Sequence, residues 1–141
     1  HNQFKRLDKL KKMRNINRKL ILKKIINSQK WNNQFTFVEP NKNIDPSWMG
    51  LPILINEKYK KKKRKFINFL DQKGIETRPV ISGSFVNHPA AKLYKLNKKN
   101  YKFPIAQKIQ DLGFLVGLHT RKISKKNLQL LHDSFYQIDK L

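Results

Sequence analysis

The residues best suited to chemistry lie together in the middle of the chain, in the segment GIETRPVISGSFVNHPAAKLY at residues 74–94. Arg78 stands at the expected end of a strand, just before a proline that fixes the direction of the chain. Its planar guanidinium suits a phosphate or sugar hydroxyls, because it presents several donors in a fixed fork. Short polar side chains that suit a polyhydroxylated ligand follow it: Ser82, Ser84, Asn87 and His88.

Gly83 allows a tight turn or a close backbone approach within this segment. The alternative is that Arg78 is an ordinary surface ion-pair partner and that its neighbours only form turns. The four histidines of the chain are too scattered to indicate a metal site, and His132 is expected to be structural. No Gly-rich phosphate motif and no Ser-His-Asp arrangement is indicated, so no complete catalytic apparatus is predicted in these residues.

Hydrophobic periodicity predicts a small α/β layer, with a three-stranded sheet and helices packed on it. The expected helices and strands alternate along the chain: helix 3–28, strand 51–56, helix 57–74, strand 75–80, helix 104–112, strand 114–118 and helix 123–141. Residues 29–50 are expected to form a polar connection. Residues 80–102 are expected to be irregular but ordered, and pinned down by Phe85, Leu93 and Tyr94.

A formal net charge of +23 on 141 residues raises the question of a nucleic-acid partner. Lysine greatly outnumbers arginine, which favours an A/T-rich coding sequence as the origin of the charge over selection for phosphate binding. The basic run at residues 58–65 is more typical of a solvated helix face, and its role is left open. The chain has no cysteine and no long apolar run, which fits a cytoplasmic protein without a membrane span.

Four segments together resemble the C-terminal region of the DegT/StrS family of pyridoxal-phosphate-dependent sugar aminotransferases. They are GIETRPVISGSFVNHPA, GFLVGLHT, DPSWMGLPILI and QFKRLDKLKKMRNINRKL. They stand along the chain in the family's order, and the match that they define extends over essentially the whole chain. The Gly-x-Phe after the Arg-Pro pair and the Gly-x-His near the last strand look closest to the nucleotide-sugar 3-dehydratase branch. True transaminases remain alongside that branch as candidates.

The resemblance implies the small C-terminal domain of an aspartate-aminotransferase-type fold, the architecture of fold type I pyridoxal-phosphate enzymes. Residues 1–28 would be a connecting helix from a large domain, and residues 29–141 the small domain. The large domain would bind pyridoxal or pyridoxamine phosphate through a Schiff-base lysine, or carry a histidine in its place. The substrate would be a nucleotide-linked keto sugar used in deoxy- or amino-sugar biosynthesis for surface polysaccharides. The full protein would be a homodimer, and this chain alone would be inactive.

The resemblance also implies which residues form a substrate-side wall, and it implies no catalytic residue in this chain. Arg78 matches the family's arginine before proline, and many relatives have asparagine where this chain has Ser84. The expected substrate-binding residues are Arg78, Gly83, Ser84, Phe85, Asn87, His88, His119, Ser47 and Trp48. The alternative function is a stand-alone basic module that binds RNA or another polyanion through Lys60–Lys65, although a nucleic-acid partner is the less favoured expectation.

Overall fold

The computed structural model of the chain describes residues 4–81, 83–95 and 102–141, so Ser82 lies outside the described residues. The described part contains five α-helices: α1 (Leu7–Ile26), α2 (Lys63–Gln72), α3 (Pro89–Leu93), α4 (Pro104–Leu112) and α5 (Lys125–Phe135). Short 3-10 segments lie at Phe4–Arg6, Glu57–Lys62, Phe85–Asn87 and Tyr136–Asp139. Four strands complete it: β1 (Phe35–Phe37), β2 (Gly50–Ile55), β3 (Thr77–Arg78) and β4 (Gly113–Gly117).

The strands form one sheet in the order β1-β2-β4-β3, and every neighbouring pair is antiparallel. The prediction of three strands was wrong by one, because β1 lies within the segment taken as a polar connection. A strand of three residues is too short to show a two-residue period in the sequence. β3 ends at the residue before Pro79, in agreement with the break that the proline predicts, but it begins at Thr77 and not at Ile75.

Pro52 lies in β2, an inner strand, although a proline in a predicted strand indicates an edge strand or a strand start. β1 stops opposite Ile53, so Pro52 has a strand neighbour only on the β4 side, opposite Leu115. The missing N–H of the proline is therefore tolerated in an edge-like setting inside the sheet.

The core lies on one face of the sheet. Leu51 and Ile53 of β2 are buried and stand directly opposite Val116 and Phe114 of β4, so their side chains share a face. Helices α1, α2 and α5 cover this face with buried side chains. Four phenylalanines meet at its centre, with ring centroids 5.0 to 6.1 Å apart between contacting pairs: Phe35, Phe66, Phe114 and Phe135.

Helix α1 buries a different stripe from the one its apolar periodicity predicts, which is Phe4, Leu7, Leu10, Met13, Ile16 and Leu20, continued by Ile21 and Ile25. Ile21 and Ile25 are in the core as expected, but Phe4 is 80% exposed and Leu7 is also exposed. The buried stripe continues from Ile21 to Asn17, one helical turn earlier, instead of to Leu20. The buried residues of the helix therefore all lie in its second half.

Ser124, Gly74 and Pro104 predict helix ends by their residue types, and the structure confirms all three. Ser124 Oγ accepts a hydrogen bond from the Asn127 N–H as the N-cap of α5, and Gly74 after α2 has a φ of +75°. Pro104 occupies the first turn of α4. Within the described residues, none of the helices combines the length and apolar content that crossing a membrane requires.

Residues 80–95 contain the 3-10 turn and helix α3, where an irregular loop was expected. The expected anchors Phe85, Leu93 and Tyr94 are all exposed, so they do not pin the segment to the domain. Ala91 is the side chain of α3 that is buried instead. The segment is held by polar contacts, which hydrophobic periodicity cannot reveal.

Candidate functional site

Arg78 is the last residue of β3, at the edge of the sheet. Its side chain is 69% exposed, and its Nε and Nη2 donate to Glu76 Oε1 at 3.0 and 2.7 Å. The surface ion pair considered as an alternative is therefore present. An ion pair this exposed contributes little stability, so an anionic ligand can compete with Glu76 for the guanidinium.

Two hollows meet at Arg78, which lines both of them. The larger hollow has a volume of about 820 Å³ and lies between α1, the end of β4 and α5, with a lining that includes Asn17, Ile21, His119, Arg121, Lys122 and Leu131. The smaller hollow has a volume of about 490 Å³, with a lining that includes Lys63, Val80, Gly83, Gln110 and Gly113. Cations outnumber carboxylates around both, which suits a negatively charged ligand.

A buried amide on α1 brings His119 to the larger hollow. Asn17 is 1% exposed, and its Nδ2 donates to the carbonyl oxygens of His119 and Arg121 at 2.8 and 2.7 Å. Its Oδ1 accepts from the Ile123 N–H at 2.9 Å. These three bonds fix the main chain that follows β4, and with it the position of His119.

The ring of His119 is oriented by its own segment. Its Nδ1 accepts from the Arg121 N–H at 2.9 Å. A nitrogen that accepts a hydrogen bond bears no proton, so the neutral ring carries its proton on Nε2. The exposed Nε2 is then a donor, which suits a phosphate or sugar oxygen.

The loop at residues 83–88 rests on α4 beside the smaller hollow. The Ser84 N–H donates to Gln110 Oε1 at 2.9 Å, and Asn87 Nδ2 donates to Gln107 Oε1 at 2.7 Å. Gly83 has a φ of +52°, and a Cβ at this position would lie 2.9 Å from Gln110 Cγ. Glycine is therefore required here both by the backbone conformation and by the close approach of α4.

Ser84 and Asn87 do not present their polar groups in the way the sequence suggested. Ser84 is only 2% exposed, so a direct bond to a ligand would require the loop to move. The amide of Asn87 is engaged with α4. Both residues therefore shape the loop in this conformation.

His88 and Phe85 form the outer surface of the same loop. Their rings stack at a centroid distance of 5.9 Å with an interplanar angle of 4°. His88 Nδ1 accepts from the Ala90 N–H at 3.2 Å, at the start of α3. Phe85 is exposed, which leaves an aromatic face available for stacking.

Ser47 and Trp48 are not among the residues that line either hollow. Ser47 is exposed, and the Trp48 ring lies under the Arg18 guanidinium at 4.6 Å. Arg18 itself is buried, donates to the Val38 carbonyl oxygen at 2.7 Å and pairs with Glu39. The structure thus places this pair of residues on the α1 side of the domain, away from the loop at residues 83–88.

Ser28, His132 and Asp133 form a hydrogen-bonded series that the sequence did not indicate. His132 Nε2 lies 3.0 Å from Ser28 Oγ, and His132 Nδ1 lies 2.9 Å from Asp133 Oδ1. Ser28 and His132 are 104 residues apart, so their proximity is purely tertiary. Neither hollow is lined by the three residues, and their contacts join the end of α1 to α5. Hydrogen bonds from Gln129 and then His132 hold the pKa of Asp133 below its ordinary value.

Part of the basic run at residues 58–65 has partners inside the domain. Lys60 Nζ contacts Asp111 Oδ2 at 2.8 Å, and Lys63 Nζ donates to the Gln110 carbonyl oxygen at 2.9 Å. Lys62 Nζ donates to the carbonyl oxygens of Ile138 and Asp139 at 3.3 and 3.2 Å. Burial lowers the pKa of Lys63 from its ordinary value. The run is therefore not a uniformly solvated face.

Three residues that organise the site were missed at the sequence level: Asn17, Gln107 and Gln110. Asn17 carried a signal, since it stands four residues before Ile21 on a stripe that continues to Ile25. A polar residue on such a stripe needs hydrogen-bond partners when it is buried. Gln107 and Gln110 carried no signal of this kind, because they lie on the polar side of α4. Among the described residues, no three histidine or acidic side chains gather as metal ligands would.

Comparison with known proteins agrees with the resemblance stated from the sequence. The chain is similar in structure to an E. coli GDP-4-keto-6-deoxy-D-mannose-3-dehydratase with bound hydrated PLP, at 19% identity and a TM-score of 0.76. The match covers 94% of this chain and 32% of that one. A GDP-4-keto-6-deoxymannose-3-dehydratase mutant with bound GDP-perosamine gives 19% identity and a TM-score of 0.74, covering 94% of this chain and 33% of that one.

The predicted fold class is thereby confirmed, since the described sheet and helices match part of an aminotransferase-type fold. The chain spans about a third of the length of these solved structures. Comparison with curated protein sequences finds no match. The model of the DegT/DnrJ/EryC1/StrS aminotransferase family matches residues 1–130. The chain belongs to the DegT/DnrJ/EryC1/StrS aminotransferase family.

Proposed function

We propose that this chain is the small-domain part of a pyridoxal-phosphate-dependent enzyme that acts on a nucleotide-linked keto sugar. The reaction is either transamination or 3-dehydration of a 4-keto-6-deoxy sugar, in deoxy- or amino-sugar biosynthesis. Family membership over residues 1–130 is the observation that carries the proposal. Bound PLP and bound GDP-perosamine in structurally similar dehydratases support the cofactor and the substrate class.

The exposure of α1 supports its role as a connecting helix. Its second half contributes Ile21 and Ile25 to the core, whereas Phe4 and Leu7 at its start remain exposed. Apolar side chains at regular helical spacing are suited to burial against another body. We assign residues 1–28 to the connection with a large domain and residues 29–141 to the small domain.

The residues around the two hollows do not by themselves complete a cofactor site. Cations suited to a phosphate are present, but Glu76, the carboxylate among the lining residues, is already paired with Arg78. A partner for a pyridinium nitrogen is therefore lacking among the lining residues. This supports a division in which a large domain holds the cofactor. When bound, that cofactor acts as the electron sink of the reaction.

The residues of this chain would bind and orient the sugar substrate. Arg78 would exchange its exposed partner Glu76 for a phosphate or sugar oxygen, as a guanidinium fork does. His119 would donate from Nε2 at the other side of Arg78, in the larger hollow. Gly83 would form part of the wall of the smaller hollow, and the exposed Phe85 ring of the same loop would offer an apolar or stacking surface beside it. Ser47 and Trp48 would contribute only if a second body brings a ligand to the α1 side.

The full protein is proposed to be a homodimer whose sites lie between subunits, as the family resemblance implies. The absence of cysteine fits the expected cytoplasmic location. The chain alone should show no turnover of a keto sugar with added pyridoxal phosphate. Turnover by the isolated chain would contradict the assignment of the cofactor residues to a large domain.

The first test is to read the coding sequence upstream of residue 1. An in-frame large domain with lysine at the cofactor position would indicate a transaminase, and histidine there would indicate a 3-dehydratase. A start codon at residue 1 with no large domain encoded would overturn the enzyme assignment for this chain.

The second test measures binding of guanosine diphosphate by titration calorimetry, with the Arg78→Gln variant for comparison. We expect Arg78→Gln to weaken binding by about tenfold, the effect of losing one charge-assisted bidentate contact. The control is Arg64→Gln, an exposed arginine on α2 that lines neither hollow. Equal affinity in all three proteins would mean that Arg78 does not face the nucleotide.

A further inference from the structure

In the function proposed above, Lys63 is the one residue of the basic run at residues 58–65 that lines a hollow, and the rest of the run has no assigned role. Three of its lysines are tied to other parts of the domain, and two of these, Lys60 and Lys63, reach α4. Helix α4 is also the element on which the loop at residues 83–88 rests. The basic run and the loop at residues 83–88 therefore both contact the same helix, α4.

The first connection runs through side chains alone. Lys60 Nζ contacts Asp111 Oδ2 at 2.8 Å, and Asp111 Oδ1 accepts from Gln107 Nε2 at 2.9 Å. Gln107 Oε1 in turn accepts from Asn87 Nδ2 at 2.7 Å. Because Asp111 fixes which way the Gln107 amide faces, the oxygen is directed to the loop.

The second connection passes through Gln110. Lys63 Nζ donates to its main-chain carbonyl oxygen at 2.9 Å, in the last turn of α4. A cation at this end of a helix is favourably placed with respect to the helix dipole. Gln110 Oε1 accepts from the Ser84 N–H, and its Cβ and Cγ lie directly under Gly83. The position of Gln110 thus sets the position of the tightest part of the loop.

We propose that Lys60 and Lys63 are positioning residues: they hold α4 in place, and α4 holds the loop at residues 83–88 beside the smaller hollow. The hydrogen bond between Lys60 and Asp111 raises the pKa of Lys60 and lowers that of Asp111. The importance of the loop for a sugar substrate rests on the proposed function. The mechanical link between the basic run and the loop does not.

The run contains its own matched control. Lys61 and Lys65 are exposed and have no partner among the described residues. The variant Lys60→Met/Lys63→Met and the variant Lys61→Met/Lys65→Met therefore remove the same charge from the same segment. Methionine keeps the length of the apolar stem, so packing changes little in either variant.

The test measures amide hydrogen exchange by mass spectrometry in the full chain, comparing peptides that cover residues 84–88 with peptides from α5. We expect Lys60→Met/Lys63→Met to accelerate loop exchange about three- to tenfold, the range for losing one or two charge-assisted hydrogen bonds. Exchange in α5 should not change. Lys61→Met/Lys65→Met should leave both regions unchanged.

Conservative and partner variants separate positioning from a general loss of structure. Lys60→Arg still reaches a carboxylate, so it should keep the loop exchange of the original protein. Asp111→Asn should accelerate loop exchange as the loss of Lys60 does. Equal loop exchange in the two double variants, or no change in either, would overturn the proposal.

Two binding probes distinguish the positioning role from an RNA-binding role of the basic run and from the proposed function. The first probe is a mixed-sequence single-stranded RNA. Suppose that it binds, that both double variants weaken its binding equally, and that loop exchange is unaffected in both. The run would then be a polyanion surface, and the positioning role would be wrong. If loop exchange responded as expected but Arg78→Gln left the affinity for guanosine diphosphate unchanged, positioning would stand and the assignment of Arg78 to the substrate wall would fail.

Discussion

The core face of the sheet and the loop at residues 83–88 are held by different kinds of contact. On the core face, Phe35, Phe66, Phe114 and Phe135 are buried and in ring contact. The loop is held by amide and charged side chains of α4 and the basic run, none of which is fully buried. The first arrangement supplies global stability, whereas the second sets one local geometry.

This difference indicates which changes the molecule tolerates. Apolar contacts in a close-packed core cannot be removed without a large loss of free energy of unfolding. Exposed hydrogen bonds can open locally at small cost while the rest of the domain stays folded. A loop held in this way can move when a ligand arrives, which the burial of Ser84 requires if it is to contact one.

Phe66→Ala should give the largest effect, because Phe66 is fully buried and its ring meets three other phenylalanines. We expect a loss of about 3–5 kcal/mol in the free energy of unfolding, measured by urea denaturation. Phe66→Leu keeps most of the volume and should cost much less. A loss below about 1 kcal/mol for Phe66→Ala would contradict the difference drawn between the two regions, since the core face would then be no more stabilising than the loop.

Asn17→Ala should give the second largest effect, because Asn17 joins the core face to the segment that carries His119. Removing the amide leaves three main-chain groups without their buried partner, and we expect a loss of about 2–3 kcal/mol. The NMR signals of the His119 ring should shift in the folded variant. Asn15→Ala, on the same helix but outside the core, is the matched control. Unshifted His119 signals would show that the segment keeps its position without Asn17.

The sequence predicted the core face better than the site, for physical reasons. Leu131, Phe135 and Ile138 repeat at helical spacing, and Ser124 and Gly74 mark helix ends through local chemistry. Such signals depend only on neighbouring residues.

The missed features depend on contacts between distant segments. β1 is a strand only because Phe35 and Phe37 pair with β2, and three residues cannot show that in the sequence. Gln110 meets Ser84 across 26 positions, and a glutamine on the polar side of a helix does not reveal its partner. The family resemblance named the loop, but it did not indicate what holds it.

Gly83→Ala tests the loop side directly, with Gly74→Ala as its control. Both glycines have positive φ, at +52° and +75°, so both substitutions carry a backbone cost of about 1 kcal/mol. Only the Cβ at Gly83 would also meet Gln110, while nothing lies within 4 Å of the one at Gly74. We expect faster hydrogen exchange at residues 84–88 in Gly83→Ala alone. The same loop exchange in both variants would mean that α4 and the loop are not in close contact.

Tyr59→Phe should give the smallest effect of these substitutions. It tests the place where the basic run meets the core. Tyr59 is buried, and its hydroxyl donates to Asp139 Oδ1, which lies beside the Oδ2 that accepts from Gln34. Losing one such hydrogen bond should cost about 1 kcal/mol at neutral pH. Burial, and next the hydrogen bond to Asp139, raises the pKa of Tyr59 to about 12 from 10.0.

Because the pKa of Tyr59 is higher in the folded protein than in the unfolded chain, folding favours the protonated phenol. The contribution of Tyr59 is therefore complete below its ordinary pKa of about 10, and it is lost as the pH rises through the folded value of about 12. Lysines titrate in the same window, so the quantity to measure is the difference between the original protein and Tyr59→Phe in urea denaturation at each pH. That difference should be constant up to about pH 10 and then shrink. A difference that stays constant to pH 12 would mean that the hydroxyl is not held by Asp139, and that Tyr59 contributes to the core through its ring alone.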